Sequence, residues 1–88
     1  MLKMKRTCYA CPEQYEAEKD GETVAYLRLR HGNFTVQCPD VGGTLVYDAN
    51  PLGDGIFNEE EREKFLLAAV EAIYRHYGWG DYPEYLIS

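Results

Sequence analysis

The chain has 88 residues, a formal net charge of -6 at pH 7, 45% hydrophobic side chains and 27% charged ones. That length supports one domain with one core. The acidic balance excludes general DNA or RNA binding, which requires a basic surface. No run approaches the roughly 20 apolar residues of a membrane span. Lys3, Lys5 and Arg6 make a short basic start, but no apolar stretch of a secretory signal follows them. A soluble, cytoplasmic protein is expected. The 3 cysteines are an odd number, unlike a secreted disulfide framework. With 8 tyrosines and 1 tryptophan the aromatic load is heavy. A small core that needs large side chains explains it, and so does an interface.

In chain order, residues 1–12 read as a loose N-terminal arm. Residues 13–19 are a first strand, and Lys19-Asp20-Gly21 signals a hairpin. A two-residue loop there would pair Glu16 with Ala25 and bury it. A three-residue loop with Gly21 as the bulge residue pairs Tyr15 with Ala25 and Ala17 with Thr23, keeping Glu16 and Glu18 outside. That register is the expectation.

Residues 22–38 form the clearest stretch. Ala25, Leu27 and Leu29 alternate with Tyr26, Arg28 and Arg30, the period of a half-buried strand. His31-Gly32 supplies a tight turn, after which Phe34, Val36 and Cys38 alternate with Asn33, Thr35 and Gln37. The loop length pairs Leu29 with Phe34 and Leu27 with Val36 on one face, and Arg30 with Asn33 and Arg28 with Thr35 on the other. After a loop at residues 39–44, Cys38 is expected opposite Leu45 and Val36 opposite Tyr47. Asp48 then lies beside Thr35, within reach of Arg28.

Residues 48–55 are dense in turn formers and end the strand. Asn58 is a fitting N-cap with Glu61 at the capping-box position, and Glu59, Glu60 and Glu61 suit the positive end of a helix dipole. Phe65, Leu66, Ala69, Val70, Ile73 and Tyr77 make an apolar stripe, and Gly78 is a natural terminator. The helix should run from Glu59 to Tyr77. The expected fold is α+β: a four-stranded antiparallel meander with one long C-terminal helix packed on one face (ββββα). It forms a single domain over residues 13–78. Residues 79–88 form an aromatic tail that folds back on the core or pairs with a second copy as a homodimer.

Four groups of residues invite a chemical reading. Cys8-Tyr9-Ala10-Cys11 has zinc-knuckle spacing, and Cys38 begins a partial second half in which Val41 stands where a fourth ligand would be. Reduced thiols, with Cys38 buried as a small hydrophobe, are the simpler expectation. No cofactor is expected, with zinc at Cys8, Cys11 and Cys38 as the alternative. Asp48, Asn50, Gly53 and Glu59 fall at calcium-loop positions, but Leu52 and Gly55 break the pattern. Arg28 and Arg30, about 7 Å apart along one strand face, could grip a carboxylate or phosphate, with Tyr26 and His31 beside them. A solvated sheet face with Arg28 paired to Asp48 is the plainer account. The 2 histidines accompany no nucleophile motif, P-loop or dinucleotide fingerprint, so no catalytic residue is assigned and no enzyme is expected.

The run Tyr26-Leu27-Arg28-Leu29-Arg30-His31-Gly32, then Pro39-Asp40 with Gly42-Gly43, then Gly53-Asp54-Gly55-Ile56-Phe57, carries a resemblance. It resembles small uncharacterised proteins of gut Gram-positive bacteria and of their phage or conjugative elements, over roughly residues 13–77. The resemblance implies a bacterial cytosolic setting and an accessory role, and no site residue. The leading expectation is a non-enzymatic protein-interaction module using the open sheet face. One alternative is an acidic, element-borne inhibitor of a host nucleic-acid-binding protein, acting through Glu59, Glu60, Glu61 and Glu63. Another is a small-ligand or zinc-binding protein.

Overall fold

The computed structural model describes residues 1–8 and 12–87. Six strands and one helix follow in the order β1 (Leu2–Cys8), β2 (Glu13–Lys19), β3 (Glu22–Arg30), β4 (Asn33–Cys38), β5 (Thr44–Ala49), α1 (Glu59–Tyr77) and β6 (Tyr85–Ile87). The sheet order is β5-β4-β3-β2-β1-β6. Strands β1 to β5 make an antiparallel meander, and β6 adds to β1 in parallel. The chain is therefore α+β with one helix on a sheet, but the sheet is mixed and has six strands rather than four antiparallel ones.

Both corrections have physical causes. The expected N-terminal arm is largely strand: Leu2 and Met4 are fully buried while Lys3 and Lys5 point outward. The alternation fails at Arg6, which stands opposite Tyr15 on the core side and ion-pairs with Glu13. A charge in an apolar position hid the strand. The expected tail also enters the sheet, as Leu2 pairs with Tyr85 and Met4 with Ile87. A three-residue strand carries almost no local pattern; it exists because β1 offers an edge.

The β3–β4 register is the expected one, with Leu29 opposite Phe34 and Leu27 opposite Val36. His31 and Gly32 both take positive φ, 53° and 72°, the mirror-image turn whose twist suits a hairpin. The β2–β3 register differs from expectation. Asp20 and Gly21 form a two-residue turn, with Lys19 opposite Glu22, and Val24 is then an extra residue, so Ala17 faces Ala25 and Tyr15 faces Leu27. The bulge at Val24 does what the longer loop was expected to do, returning Tyr15 and Ala17 to the core. The Tyr77 hydroxyl, at the end of α1, donates to the Val24 carbonyl. Burial, followed by the neighbouring Cys38 thiol, pushes the Tyr77 pKa up to about 12. A second bulge, at Val46, puts Leu45 opposite Gln37 and Thr44 opposite Cys38, so Leu45 is outside the core and 52% exposed.

The helix has the expected limits. The Glu61 carboxylate accepts from the Asn58 N–H, and Gly78 closes the other end at φ 71° with its N–H on the Arg75 carbonyl. Leu66, Ala69, Val70, Ile73 and Tyr74 are buried against Met4, Tyr15, Leu27, Leu29, Phe34 and Val36. After Gly78 the chain turns back. Trp79 stacks on Tyr77 at 4.8 Å between centroids, and the Lys19 Nζ lies 4.5 Å from the Trp79 ring centre. Among the described residues no helix is long and apolar enough to cross a membrane.

Ile73 is fully buried in this stripe. Ile73→Ala should cost about 2–5 kcal/mol through the cavity it leaves. A denaturant midpoint equal to wild type would show that the helix does not bury this face.

Candidate functional site

The helix covers one face of the sheet and leaves the other uncovered. Across that second face run matched rows. Gln14, Arg28, Thr35 and Asp48 share one row, Glu16, Tyr26 and Gln37 the next, and Arg30 with Asn33 a third. Asp48 does not meet Arg28 as expected: its Oδ1 accepts from the Asn33 Nδ2 at 2.6 Å, a diagonal contact across the strand pair. Among the described residues, neither Arg28 nor Arg30 has a carboxylate within 4.0 Å, whereas Arg6, Lys19 and Arg62 all do.

A groove of about 440 Å³ opens where this face ends, lined by Pro12, Gln14, Arg28, Arg30, His31, Asp54 and Gly55. Three of the four expected sheet-face residues are thus brought together. Tyr26 shares the face but lies one step beyond the groove. Gln14, Asp54 and Gly55 could not be read from sequence as partners of the arginines, because tertiary contacts deliver them. Residues 50–58 reach the β3–β4 turn through the Gly32 N–H on the Asp54 carbonyl at 2.6 Å, and through the Asn50 Nδ2 on the Gly32 carbonyl at 3.2 Å. The Glu13 N–H donates to the Gly55 carbonyl at 2.7 Å.

Two carboxylates hold this loop from beneath. Glu13, with 0% of its area exposed, receives the Arg62 Nε at 2.9 Å, the Phe57 N–H at 3.1 Å and the Tyr15 hydroxyl, with the Arg6 Nη2 at 3.6 Å. Burial alone would raise the Glu13 pKa. The hydrogen bonds from Arg62, Tyr15 and the Phe57 N–H outweigh it and hold the carboxyl below its ordinary value. Burial and the same carboxylate push the Tyr15 phenol up, and the hydrogen bond to Glu13 keeps Arg62 charged. Glu61 accepts from the N–H groups of Leu52, Gly53 and Asn58 at 2.8–3.0 Å. Desolvation works against the charged form of Glu61, and these three donors reverse the balance, so its pKa is also lowered. Gly53 is required by space, since a Cβ there would lie 2.1 Å from the Ile56 carbonyl oxygen. The side chains at the calcium-loop positions are committed elsewhere: Asp48 accepts from the Asn33 amide, the Asn50 amide donates to the Gly32 carbonyl, and Glu59 pairs with Arg62.

Cys8 and Cys38 are not gathered. Cys8 is on β1 and half-buried, Cys38 is in the core on β4, and Cys11 lies outside the described residues. Three strand spacings, on the order of 14 Å, separate β1 from β4, so Cys8 and Cys38 cannot both reach one zinc ion about 2.3 Å from each sulfur. Burial pushes the Cys38 thiol up, opposite to what a reactive thiolate requires. Among the described residues no group of His, Cys, Asp and Glu side chains is placed to hold a metal ion.

Comparison with known proteins adds no relative. No protein-family model, no curated protein and no solved structure matches the chain.

The lowered carboxylates give a pH prediction. A folded pKa below the unfolded one contributes stability that is complete above the ordinary value near 4.5 and is lost as pH falls through the folded value. Wild-type stability should therefore decline steeply below about pH 4.5. Glu13→Gln should lose about 3 kcal/mol near neutrality and show a shallower acid limb. Urea titrations of both proteins from pH 7 to pH 3 check this; parallel acid limbs would remove Glu13 as a source of the dependence.

Proposed function

We propose that the chain is a small non-enzymatic protein-interaction module working through the uncovered sheet face, with Tyr26, Arg28 and Arg30 as its contact side chains. One observation carries the reading. Among the described residues Arg28 and Arg30, like Lys3, Lys5, Lys64 and Arg75, have no carboxylate within 4.0 Å, but of these six only Arg28 and Arg30 line the groove, side by side on the face that α1 does not cover. Arginine and tyrosine are the residues that protein interfaces favour, because both bring large contact area together with directed hydrogen bonding.

The acidic-inhibitor alternative has less support. Of its four carboxylates, Glu61 is buried under the 50–58 loop and Glu59 is paired with Arg62. Glu60 and Glu63 remain on the exposed surface, too few to mimic a phosphate backbone. The zinc reading joins Cys8, Cys11 and Cys38; the sheet order separates Cys8 from Cys38, and Cys11 lies outside the described residues.

Tagged wild type, Arg28→Ala/Arg30→Ala and Glu60→Lys/Glu63→Lys should be compared in pull-downs from a gut Gram-positive bacterial lysate, with bound proteins quantified by mass spectrometry. The expected result is a partner retained by wild type and the glutamate variant and depleted at least about tenfold by the arginine variant. Retention by the arginine variant with loss in the glutamate variant would replace this reading with the inhibitor one.

A further inference from the structure

We propose that the groove beside Arg28 and Arg30 seats the carboxylate of an acidic residue within an extended peptide segment of the partner. This deepens the interaction-module reading and rests on it. Arg28 is half-buried and Arg30 exposed, and both line the groove. A planar guanidinium presents paired N–H donors that match a carboxylate, and two of them approaching from adjacent rows enclose it from two sides.

Charge selects the ligand class. The groove holds two guanidinium groups and the single carboxylate of Asp54. In formal charges at pH 7 they leave one positive charge. A monoanionic carboxylate neutralises that charge, whereas a phosphate dianion overshoots it and meets Asp54 at close range. Two further carboxylates lie on this face outside the groove lining: Asp48, in the Arg28 row and hydrogen-bonded to the Asn33 amide, and Glu16, in the Tyr26 row and opposite Lys5 on the neighbouring strand. The rest of the chain is acidic, so the groove is a local positive site that attracts an acid its surroundings repel.

Hydrogen-bond chemistry points to a peptide rather than a free acid. Asp54 is an acceptor only, while the Gln14 amide both donates and accepts. A ligand satisfying the whole lining must present an anion and, beside it, an N–H donor for Asp54. An aspartyl or glutamyl residue inside a chain carries both, through its side chain and its backbone amide. The loop that carries Asp54 is fixed to the turn beneath it by the bond from the Gly32 N–H to the Asp54 carbonyl, so the backbone bearing the acceptor is held in place before binding.

The test is a ¹H–¹⁵N titration of the full chain with acetyl-Gly-Asp-Gly-amide, with its Asn counterpart and with inorganic phosphate, following the Arg Nε–Hε signals. The Asp peptide should shift Arg28 and Arg30 saturably, with phosphate and the Asn peptide at least about tenfold weaker. Arg28→Gln/Arg30→Gln, checked for an unchanged melt, should weaken the Asp peptide at least about tenfold. Asp54→Asn should narrow the gap between the Asp peptide and phosphate, a change of selectivity that a merely structural Asp54 would not produce. Equal binding of the Asn peptide, tighter binding of phosphate to wild type, or no saturable shift at ~20 mM peptide would overturn the proposal. If the peptide fails while a lysate partner still depends on the arginines, the groove proposal falls and the module stands. If the peptide binds and no partner is captured, the groove stands and the module reading falls.

Discussion

The fold depends on a carboxylate removed from water. A buried, unpaired Glu13 would cost several kcal/mol, enough to unfold a domain of this size. It is tolerated because Arg62 from the helix, Tyr15 from its own strand, the Phe57 amide from the loop and Arg6 from β1 all converge on it. Those contacts join the N-terminal strand, the helix start and the 50–58 loop at one point. Among the described residues no buried side-chain nitrogen or oxygen lacks a partner, so the cluster closes without a residual polar debt.

From that point the geometry of the groove follows. The Glu13 backbone holds Gly55, and Asp54 next to it holds the Gly32 turn. Phe57, two residues after Gly55, enters the core at 4.9 Å from Phe34 and stacks on Phe65 at 5.8 Å. Glu61 secures the same loop from the first helical turn. A loop rich in glycine, which would otherwise be mobile, becomes a fixed wall facing two arginines. Packing on one face of the sheet therefore shapes the polar site at the edge of the other.

What the sequence revealed and what it hid divide along the same line. Alternation from Ala25 to Cys38 gave the central hairpin and its register, because each apolar residue has a polar neighbour to contrast with. The helix limits were legible through Asn58, Glu61 and Gly78, whose roles are local. Strand β1 was not, since Arg6 occupies a core-facing position that makes sense only through its ion pair with Glu13 on the neighbouring strand. Registers failed where bulges at Val24 and Val46 add a residue, a choice made by packing across strands rather than by the turn. Arg28, Arg30 and His31 were readable as neighbours. Gln14 and Asp54 joined them through contacts spanning much of the chain, which no local pattern carries.

Glu13 and Arg62 form a coupled buried pair rather than an incidental surface contact. A double-mutant cycle with Glu13→Gln, Arg62→Gln and the double variant, read by urea denaturation at pH 7, tests it most directly. A coupling energy of at least about 2 kcal/mol is expected. A coupling below about 0.5 kcal/mol, the range of exposed ion pairs, would contradict it.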